Sequence, residues 1–453
     1  MLVFKVVSPQ FEPGRRAALR AALAACFLTA LVAGCKPTAA PPATQAAGAA
    51  ATPPVTITAL IWAPDWPEEM QRIAAEFTRK NPDVKVDVQF MIGNSVEENL
   101  KPKVASRNLP DLMSVNPNPY AAELADQGVL ADVGNSSAWQ RLRPGLKADW
   151  MSPNGKRFGI AGGVAATLIY YNREMFEQAG VKHPPTDFSE FLAVCERLKK
   201  AGFVPIYWNG GFPNLIGNGA FSFGFANNVV PHTPDWKARI ADGTLALDNP
   251  AGADIFSKIR TVAQRGYTQA NYMQSGYDDG IHAFIEGKTA MAFEGTWAAG
   301  ALLHPKSFEV GVFEPPWHDK GAPGVPVIGS ETGFAVGETA HKEAAMRFLE
   351  YIAGEGFAIQ QKKRQNIAPF TPAAATGAEA TATIAADARI ETYLAQVEAA
   401  AVTGSPYYSM LPANTIDLLH LLIQDVLSNK RTPQQAARQL EASIRDEARK
   451  NNK

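Results

Sequence analysis

Charged residues are scarce in this chain. Asp, Glu, Lys and Arg make up 19% of its 453 residues, against about 25% in a typical soluble protein, and 43 basic residues are balanced by 44 acidic ones. Binding along a nucleic acid backbone needs clustered Lys and Arg, because each contact neutralises a phosphate. The composition therefore predicts no nucleic acid partner. The 23 Phe, 8 Trp and 11 Tyr residues need burial, which predicts a folded chain of two or three domains.

Motifs of the common catalytic and metal sites are missing as well. The sequence holds no His-Glu-x-x-His, Cys-x-x-Cys, Gly-x-Ser-x-Gly, Walker loop or dinucleotide-binding glycine pattern, and its seven His residues are scattered. We therefore expect no enzyme, no catalytic residues, no metal and no cofactor. A glycosidase needs only two carboxylates, so Glu294 and Glu331 by themselves leave a glycan-active enzyme open as an alternative.

The N-terminal apolar segment is too short to cross a membrane. It covers thirteen residues, 21–33, whereas a spanning helix needs about 20. The basic residues Arg15, Arg16 and Arg20 precede it, and small residues follow, which is the pattern of a secretory signal peptide over residues 1–34. Residues 36–54 are mostly Ala, Pro and Thr without periodicity, so the segment 35–54 is expected to act as a flexible linker.

The end of that apolar segment, Leu-Val-Ala-Gly-Cys at 31–35, resembles the lipobox of bacterial lipoproteins. The resemblance implies cleavage before Cys35, acylation of its thiol, and a membrane-anchored chain outside the cytoplasm. An ordinary signal peptide with a chance cysteine is the alternative. Since Cys26 leaves with the signal peptide, Cys195 is the one thiol left over, and no intrachain disulfide is expected. Cys195 shares a helical pattern with Phe188 and Phe191, which predicts core packing rather than a catalytic thiol.

Alternating strands and helices predict an α/β fold. A β-branched strand over 55–62 is followed by a helix from Pro67, and Val84 to Phe90 then alternate as a second strand, which together make a parallel βαβ unit. Further strands are predicted at 112–115, 167–171, 290–293 and 334–336. Helices are predicted at 120–127, from Thr186 or Asp187 to about 200, and after Thr432, while 373–388 is expected to be a surface loop.

Four sequence segments occur in the order of a known family. They are 109–115 with 128–132, 169–172 with 176–186, 284–291 with 295–297, and 344–351 with Pro369. They resemble the family 1 extracellular solute-binding proteins of bacterial ABC importers, in the sugar-binding branch that includes maltose-binding protein. The resemblance implies a type II-like fold of two lobes, each a mainly parallel sheet flanked by helices, joined by two or three hinge crossovers. It implies an N-lobe of 55–163 with about 330–368, and a C-lobe of 168–325 with about 372–453.

The same resemblance implies a function. The chain is expected to be a monomeric, periplasmic or extracytoplasmic subunit that binds a mono- or oligosaccharide between its lobes and delivers it to the transmembrane subunits of a permease. Sugars present hydroxyls and C–H faces, so their sites mix aromatic rings with carboxylates and amides. Residues of these types follow the predicted strands, where ligands of α/β proteins bind. The candidates are Trp62, Asp65, Trp66, Asn116, Asn118, Trp208, Asn209, Gly211, Glu294, Trp297, Glu331 and Tyr408.

Each candidate has a structural alternative. The position of Trp297 matches a tryptophan that stacks on sugar in the family, but an indole can also pack in the core. Trp139, Trp150, Trp236 and Trp317 are expected to serve packing or to lie at the surface. The chain departs from some relatives at Ala165 and Ala166, and its 116–119 tip has no aromatic or charged side chain, so the sugar is left open. A polyol, another non-sugar solute, or a receptor without transport are further alternatives. The candidate loops contain no Arg or Lys, which argues against a phosphate ligand.

Overall fold

The computed structural model describes residues 53–371 and 387–451. The predicted signal peptide and Cys35, nearly all of the linker, and most of the predicted 373–388 loop lie outside these ranges. None of the helices in these two ranges combines the length and the hydropathy that a membrane span requires.

The described chain alternates strands with helices, as predicted. The strands are β1 (Val55–Ile61), β2 (Val84–Phe90), β3 (Leu112–Val115), β4 (Val164–Asn172), β5 (Ile206–Tyr207), β6 (Met291–Gly295), β7 (Val310–Phe313), β8 (Ile328–Ser330) and β9 (Gly333–Val336). The α-helices are α1 (Pro67–Lys80), α2 (Val96–Ala105), α3 (Pro119–Asp126), α4 (Ser137–Arg141), α5 (Pro144–Lys147), α6 (Arg173–Gln178), α7 (Phe188–Lys200), α8 (Asn214–Ile216), α9 (Ser222–Asn228), α10 (Trp236–Asp242), α11 (Pro250–Gln264), α12 (Tyr277–Ile285), α13 (Ala299–Leu302), α14 (Lys342–Tyr351), α15 (Phe357–Arg364), α16 (Ala388–Glu398), α17 (Tyr407–Met410), α18 (Ala413–Leu427) and α19 (Pro433–Asn451). Short 3₁₀ turns cover Ala148–Trp150, Val230–His232, Tyr272–Gln274 and Thr296–Ala298, and π-helical turns cover Gly217–Phe221 and Ile352–Gly356.

Local sequence explains where the helices begin. Pro67 takes the first position of α1, where its missing N–H costs nothing, and α1 buries Met70, Ile73 and Phe77. The Asp187 side chain accepts the backbone N–H of Glu190 and caps α7. A reciprocal cap begins α19, because Gln435 N–H donates to Thr432 Oγ1 and Thr432 N–H donates to Gln435 Oε1.

The first sheet has the order β2-β1-β3-β9 and is mainly parallel. β1 pairs with β2 in parallel from Val55↔Val84 onward and with β3 in parallel, whereas β9 is antiparallel to β3. The βαβ prediction is confirmed. We call the part built on this sheet the first lobe.

The second sheet, which carries the second lobe, corrects the prediction of a mainly parallel arrangement. Its order is β5-β6-β4-β7, with β8 also beside β4, and only β5 and β6 pair in parallel. β4 runs antiparallel to β6, β7 and β8. The reason is connectivity: β4 leads away from the first lobe, and strands such as β8 lead back to it. Ser330 at the end of β8 pairs with Val164, and Gly333 three residues later pairs with Val115 of the first sheet.

The described residues form two hydrophobic clusters. The first includes the first sheet, its helices and residues such as Leu168 and Tyr170 of β4, whereas the second joins the opposite side of β4 to α7, α9, α11, α18 and α19. Cys195 is fully buried in the second cluster, as expected. The four tryptophans expected to serve packing or to lie at the surface are at most 6% exposed, so they pack in the core: Trp139, Trp150, Trp236 and Trp317.

Candidate functional site

A cleft of about 800 Å³, part of it open to solvent, lies between elements of the two sheets. The first lobe contributes the loop after β1, the start of α2, the residue after β3 and the end of α15. The second lobe contributes α8 and the turn after it, the starts of α12 and α18, and α17. The lining residues are Trp62, Pro64, Asp65, Trp66, Ser95, Val96, Glu97, Asn116, Gly162, Phe212, Asn214, Leu215, Asn218, Tyr277, Trp297, Glu331, Thr332, Arg364, Tyr407, Tyr408 and Ile416.

Aromatic rings from both lobes line part of this cleft. Trp62 and Trp297 are half-buried, and Trp66 is buried beneath the guanidinium of Arg364, which lies 5.4 Å from its ring centroid. From the second lobe, Tyr277 meets Phe212 edge to face at 5.6 Å. Such rings offer apolar faces with a polar edge, which suits a ligand that is apolar on one face and polar at its rim.

Gly295 and Glu294 position the indole of Trp297. The ring folds back over Gly295 so closely that a Cβ there would lie 2.1 Å from a ring carbon. The indole N–H donates to Glu294 Oε2 at 3.2 Å. Burial raises the pKa of Glu294 to about 8, although this hydrogen bond lowers it. Glu294 does not line the cleft itself and lies behind the ring that does.

An ion cluster of three residues lines the cleft, with Glu331 and Arg364 buried and Asp65 half-buried. Arg364 Nη1 lies 3.1 Å from Glu331 Oε2, and Arg364 Nε lies 3.7 Å from Asp65 Oδ2. Burial raises the pKa of both carboxyls despite the nearby guanidinium. Burial alone would lower the pKa of Arg364, but Glu331 and Asp65 raise it. A basic side chain is thus present, which corrects the expectation drawn from the candidate loops, and it is already matched by two acids.

Amides and a further carboxylate line another part of the cleft. Glu97 Oε1 accepts from Asn116 at 3.0 Å and from Asn118 at 2.7 Å, and Thr332 Oγ1 donates to Asn116 Oδ1 at 2.6 Å. From the second lobe, Asn218 Nδ2 donates to an Asn214 oxygen at 2.9 Å.

Several buried polar atoms of this lining have no hydrogen-bond partner within 53–371 and 387–451. They are Glu97 Oε2, Asn218 Oδ1, Tyr277 Oη, Glu331 Oε1 and Arg364 Nε. A buried polar atom without a partner costs about 1–3 kcal/mol, so such a concentration is unusual for a purely structural site. Both lobes contribute, and both donors and acceptors are included.

Seven of the twelve sequence-derived candidates line the cleft: Trp62, Asp65, Trp66, Asn116, Trp297, Glu331 and Tyr408. Glu331 lies where the chain passes from β8 to β9, between the lobes. The Tyr408 hydroxyl donates to the Ser330 carbonyl oxygen at 3.0 Å, so its ring faces the same crossing.

The other five candidates do not line the cleft. Glu294 lies behind Trp297, and Asn118 caps α3 while donating to Glu97. Trp208 is 2% exposed within the second hydrophobic cluster. Asn209 donates to the carbonyl oxygens of Gly276 and Tyr277, and Gly211 N–H donates to Ser275 O at 3.1 Å, so the 208–211 loop holds the start of α12.

Sequence reasoning missed several lining residues, notably Glu97, Asn218, Tyr277 and Arg364. Glu97 stands in the first turn of α2 and Arg364 in the last turn of α15, where acids and bases respectively are common on any exposed helix. Their burial is the distinguishing signal, and it comes from tertiary packing.

Comparisons with known proteins agree with this fold. Residues 63–359 match the model of a protein family that is described as "Bacterial extracellular solute-binding protein". A multiple sugar-binding protein of Streptococcus mutans is 24% identical over 295 residues, covering 62% of this chain and 67% of that protein. A lactose-binding protein of Rhizobium radiobacter is 23% identical over 326 residues, covering 68% and 72%. The fold is similar to a Bacillus licheniformis sugar transporter in complex with stachyose, with a TM-score of 0.72, 18% identity, and coverage of 86% and 98%.

Proposed function

Since this chain belongs to the family of bacterial extracellular solute-binding proteins, we propose that it is the substrate-binding subunit of an ABC importer. It binds a mono- or oligosaccharide in the cleft and delivers it to the transmembrane subunits of a permease. It works as a monomer outside the cytoplasm, held to a membrane through lipid on Cys35.

One observation favours a sugar as the ligand. The cleft combines half-buried indoles with buried polar atoms from both lobes that lack a hydrogen-bond partner among the described residues. The rings of Trp62 and Trp297 suit the C–H face of a pyranose. Glu331 Oε1 is an acceptor without a partner and Arg364 Nε is a donor without one, among the residues described. Sugar hydroxyls both donate and accept, so one ligand class satisfies both kinds of atom. The names of the sugar-binding relatives support the same class.

We propose direct ligand contacts for the seven candidates that line the cleft. The remaining five act through other residues of the site. Glu294 positions Trp297, and Asn118 positions Glu97. The loop that contains Trp208, Asn209 and Gly211 supports α12. A ligand that touches both lobes favours the closed arrangement, because a ligand shifts an equilibrium only by binding the two states differently. The closed form then docks on the permease.

The decisive experiment is isothermal titration of the mature protein against mono- and oligosaccharides, with small-angle scattering to follow compaction. Saturable binding with a smaller radius of gyration supports the proposal. The matched variants are Trp297→Ala, which removes the ring, and Trp297→Phe, which keeps a smaller stacking surface. Affinity is expected to fall strongly in the first and less in the second.

Other results would reject parts of the proposal. Compaction by a polyol or another solute, without sugar binding, would change the ligand class. Turnover of a labelled oligosaccharide would favour a glycan-active enzyme. For the transport role, ATP hydrolysis by the reconstituted permease must rise with this protein and its ligand present together. Labelled fatty acid must enter the wild-type chain but not Cys35→Ser.

A further inference from the structure

Glu97 combines deep burial with an oxygen that has no partner. The residue is 1% exposed and lines the cleft. The amides of Asn116 and Asn118 both donate to its Oε1, which fixes the carboxylate, while Oε2 lacks any hydrogen-bond partner in the described chain. A carboxylate held on one side and unsatisfied on the other suits a group that arrives from outside the protein.

The described residues supply no cation to this carboxylate. Among the described lining residues, Arg364 is the basic one, and its contacts go to Glu331 and Asp65. Lys101, one turn further along α2, pairs instead with Asp417. The described lining therefore holds three carboxyl groups against one guanidinium. Burial raises the pKa of Glu97, whereas the hydrogen bonds from Asn116 and Asn118 lower it.

The second lobe contributes another unpartnered acceptor to the same cleft lining. Asn218 uses its Nδ2 on Asn214 and leaves Oδ1 unpartnered within the described ranges, and the Tyr407 hydroxyl is engaged with His420 Nε2 at 2.7 Å. Glu97 belongs to the first lobe and Asn218 to the second. A ligand group that bridges these two oxygens must offer hydrogen-bond donors.

We infer that Glu97 is a specificity-determining residue of the cleft: its free oxygen takes a hydroxyl donor of the sugar, and the local excess of acceptors and negative charge rejects sugars that carry a carboxylate or a phosphate. The inference rests on the proposed function and narrows its ligand class to uncharged sugars. The physical basis is that a buried anion facing a second anion without a cation is strongly disfavoured.

The first test compares two probes that differ only at C6, α-1,4-galactotriose and α-1,4-trigalacturonate, with stachyose and lactose as further neutral probes. Titration is expected to show binding of the neutral sugars. The trigalacturonate should bind at least a hundredfold more weakly, which corresponds to about 3 kcal/mol of binding free energy lost to its desolvated charge. Equal affinity for the galactotriose and the trigalacturonate would overturn the inference.

The second test is Glu97→Gln, with Glu98→Gln as its matched control. Gln keeps an oxygen for the two Asn amides and places a donor where Oε2 lies. We expect about ten- to a hundredfold weaker binding of the neutral sugar and a smaller discrimination against the uronate. Glu98 is the exposed neighbour, so its variant should leave both affinities unchanged.

The melting temperature of the unliganded variant separates a ligand role from a structural one. A carboxylate kept for a ligand costs the free protein stability, so Glu97→Gln should melt at a higher temperature than wild type. A lower melting temperature would assign Glu97 to the structure and overturn the inference. If no sugar bound at all, the proposed function would fail, and this measurement would still decide the role of Glu97.

Discussion

The ammonium of Lys101 lies 2.7 Å from Asp417 Oδ2, and the two residues stand on helices that pack against different hydrophobic clusters. Lys101 belongs to α2, whose Leu100 is in the first cluster, and Asp417 to α18, whose Ile416 is in the second. Ser95 Oγ donates to the other oxygen of Asp417 at 3.1 Å. This small network joins the lobes at the rim of the cleft, so it exists only while the lobes are close together.

Replacing Lys101 by Met should shift the unliganded protein toward an open form. The pair is about one-third exposed, so its contribution is modest, and we expect a loss of about two- to fivefold in ligand affinity. Small-angle scattering of the free variant should give a larger radius of gyration than wild type. Because Lys101 does not line the cleft, ligand enthalpy should change little.

Two further variants control this measurement. Lys101→Arg keeps the charge and should behave as wild type, and Lys101→Asp combined with Asp417→Lys should recover part of the lost compaction. An unchanged radius of gyration in Lys101→Met would show that the ion pair with Asp417 does not help to hold the lobes close together.

The sequence predicts the first lobe better than the second. Val84, Val86 and Val88 alternate with polar residues, and Pro67 marks a helix start, so local spacing is enough for the first βαβ unit. The directions of β6, β7 and β8 relative to β4 depend on where the chain must return to the first lobe, and no local pattern carries that information.

The candidate site divides in the same way. Trp62 and Asp65 follow a recognisable strand, so their place at a strand end is readable from the sequence. Arg364 and Glu97 look like ordinary helix-end charges, and only packing shows that they are buried. The same limit explains Trp208, which also follows a strand but whose indole is in the core.

Removing Arg364 should lower the free energy of unfolding. Arg364→Met leaves the buried Glu331 and the half-buried Asp65 without their cation, which is expected to cost about 3–5 kcal/mol of unfolding free energy. Urea denaturation measures this loss. The double variant Arg364→Met with Glu331→Gln removes one of the stranded charges and should recover part of it. A loss below about 1 kcal/mol would mean that solvent reaches the cluster and screens it.

The carboxyl of Glu294 should make stability depend on pH. Its pKa is raised from 4.5 to about 8 by burial, so between these values the folded protein keeps a proton that the unfolded chain has lost. Stability therefore falls as pH rises through this window, by up to about 1.4 kcal/mol per pH unit from this group, and levels off above it. Glu294→Gln should reduce the slope in melting temperatures measured from pH 5 to 9. Parallel curves for wild type and variant would contradict the assignment.

Adding one methyl group at Gly295 should displace the indole of Trp297. The added Cβ would lie 2.1 Å from a carbon of the ring. Because the indole is only half-buried, we expect the indole to move. Gly295→Ala should therefore weaken ligand binding and change the tryptophan fluorescence of the free protein, while the backbone, at φ −108, accepts Ala without strain. Gly145→Ala is the matched control, since nothing lies within 4 Å of its added Cβ. If Gly295→Ala binds ligand as wild type does, then the observed placement of the indole over Gly295 is not the one that the ligand requires.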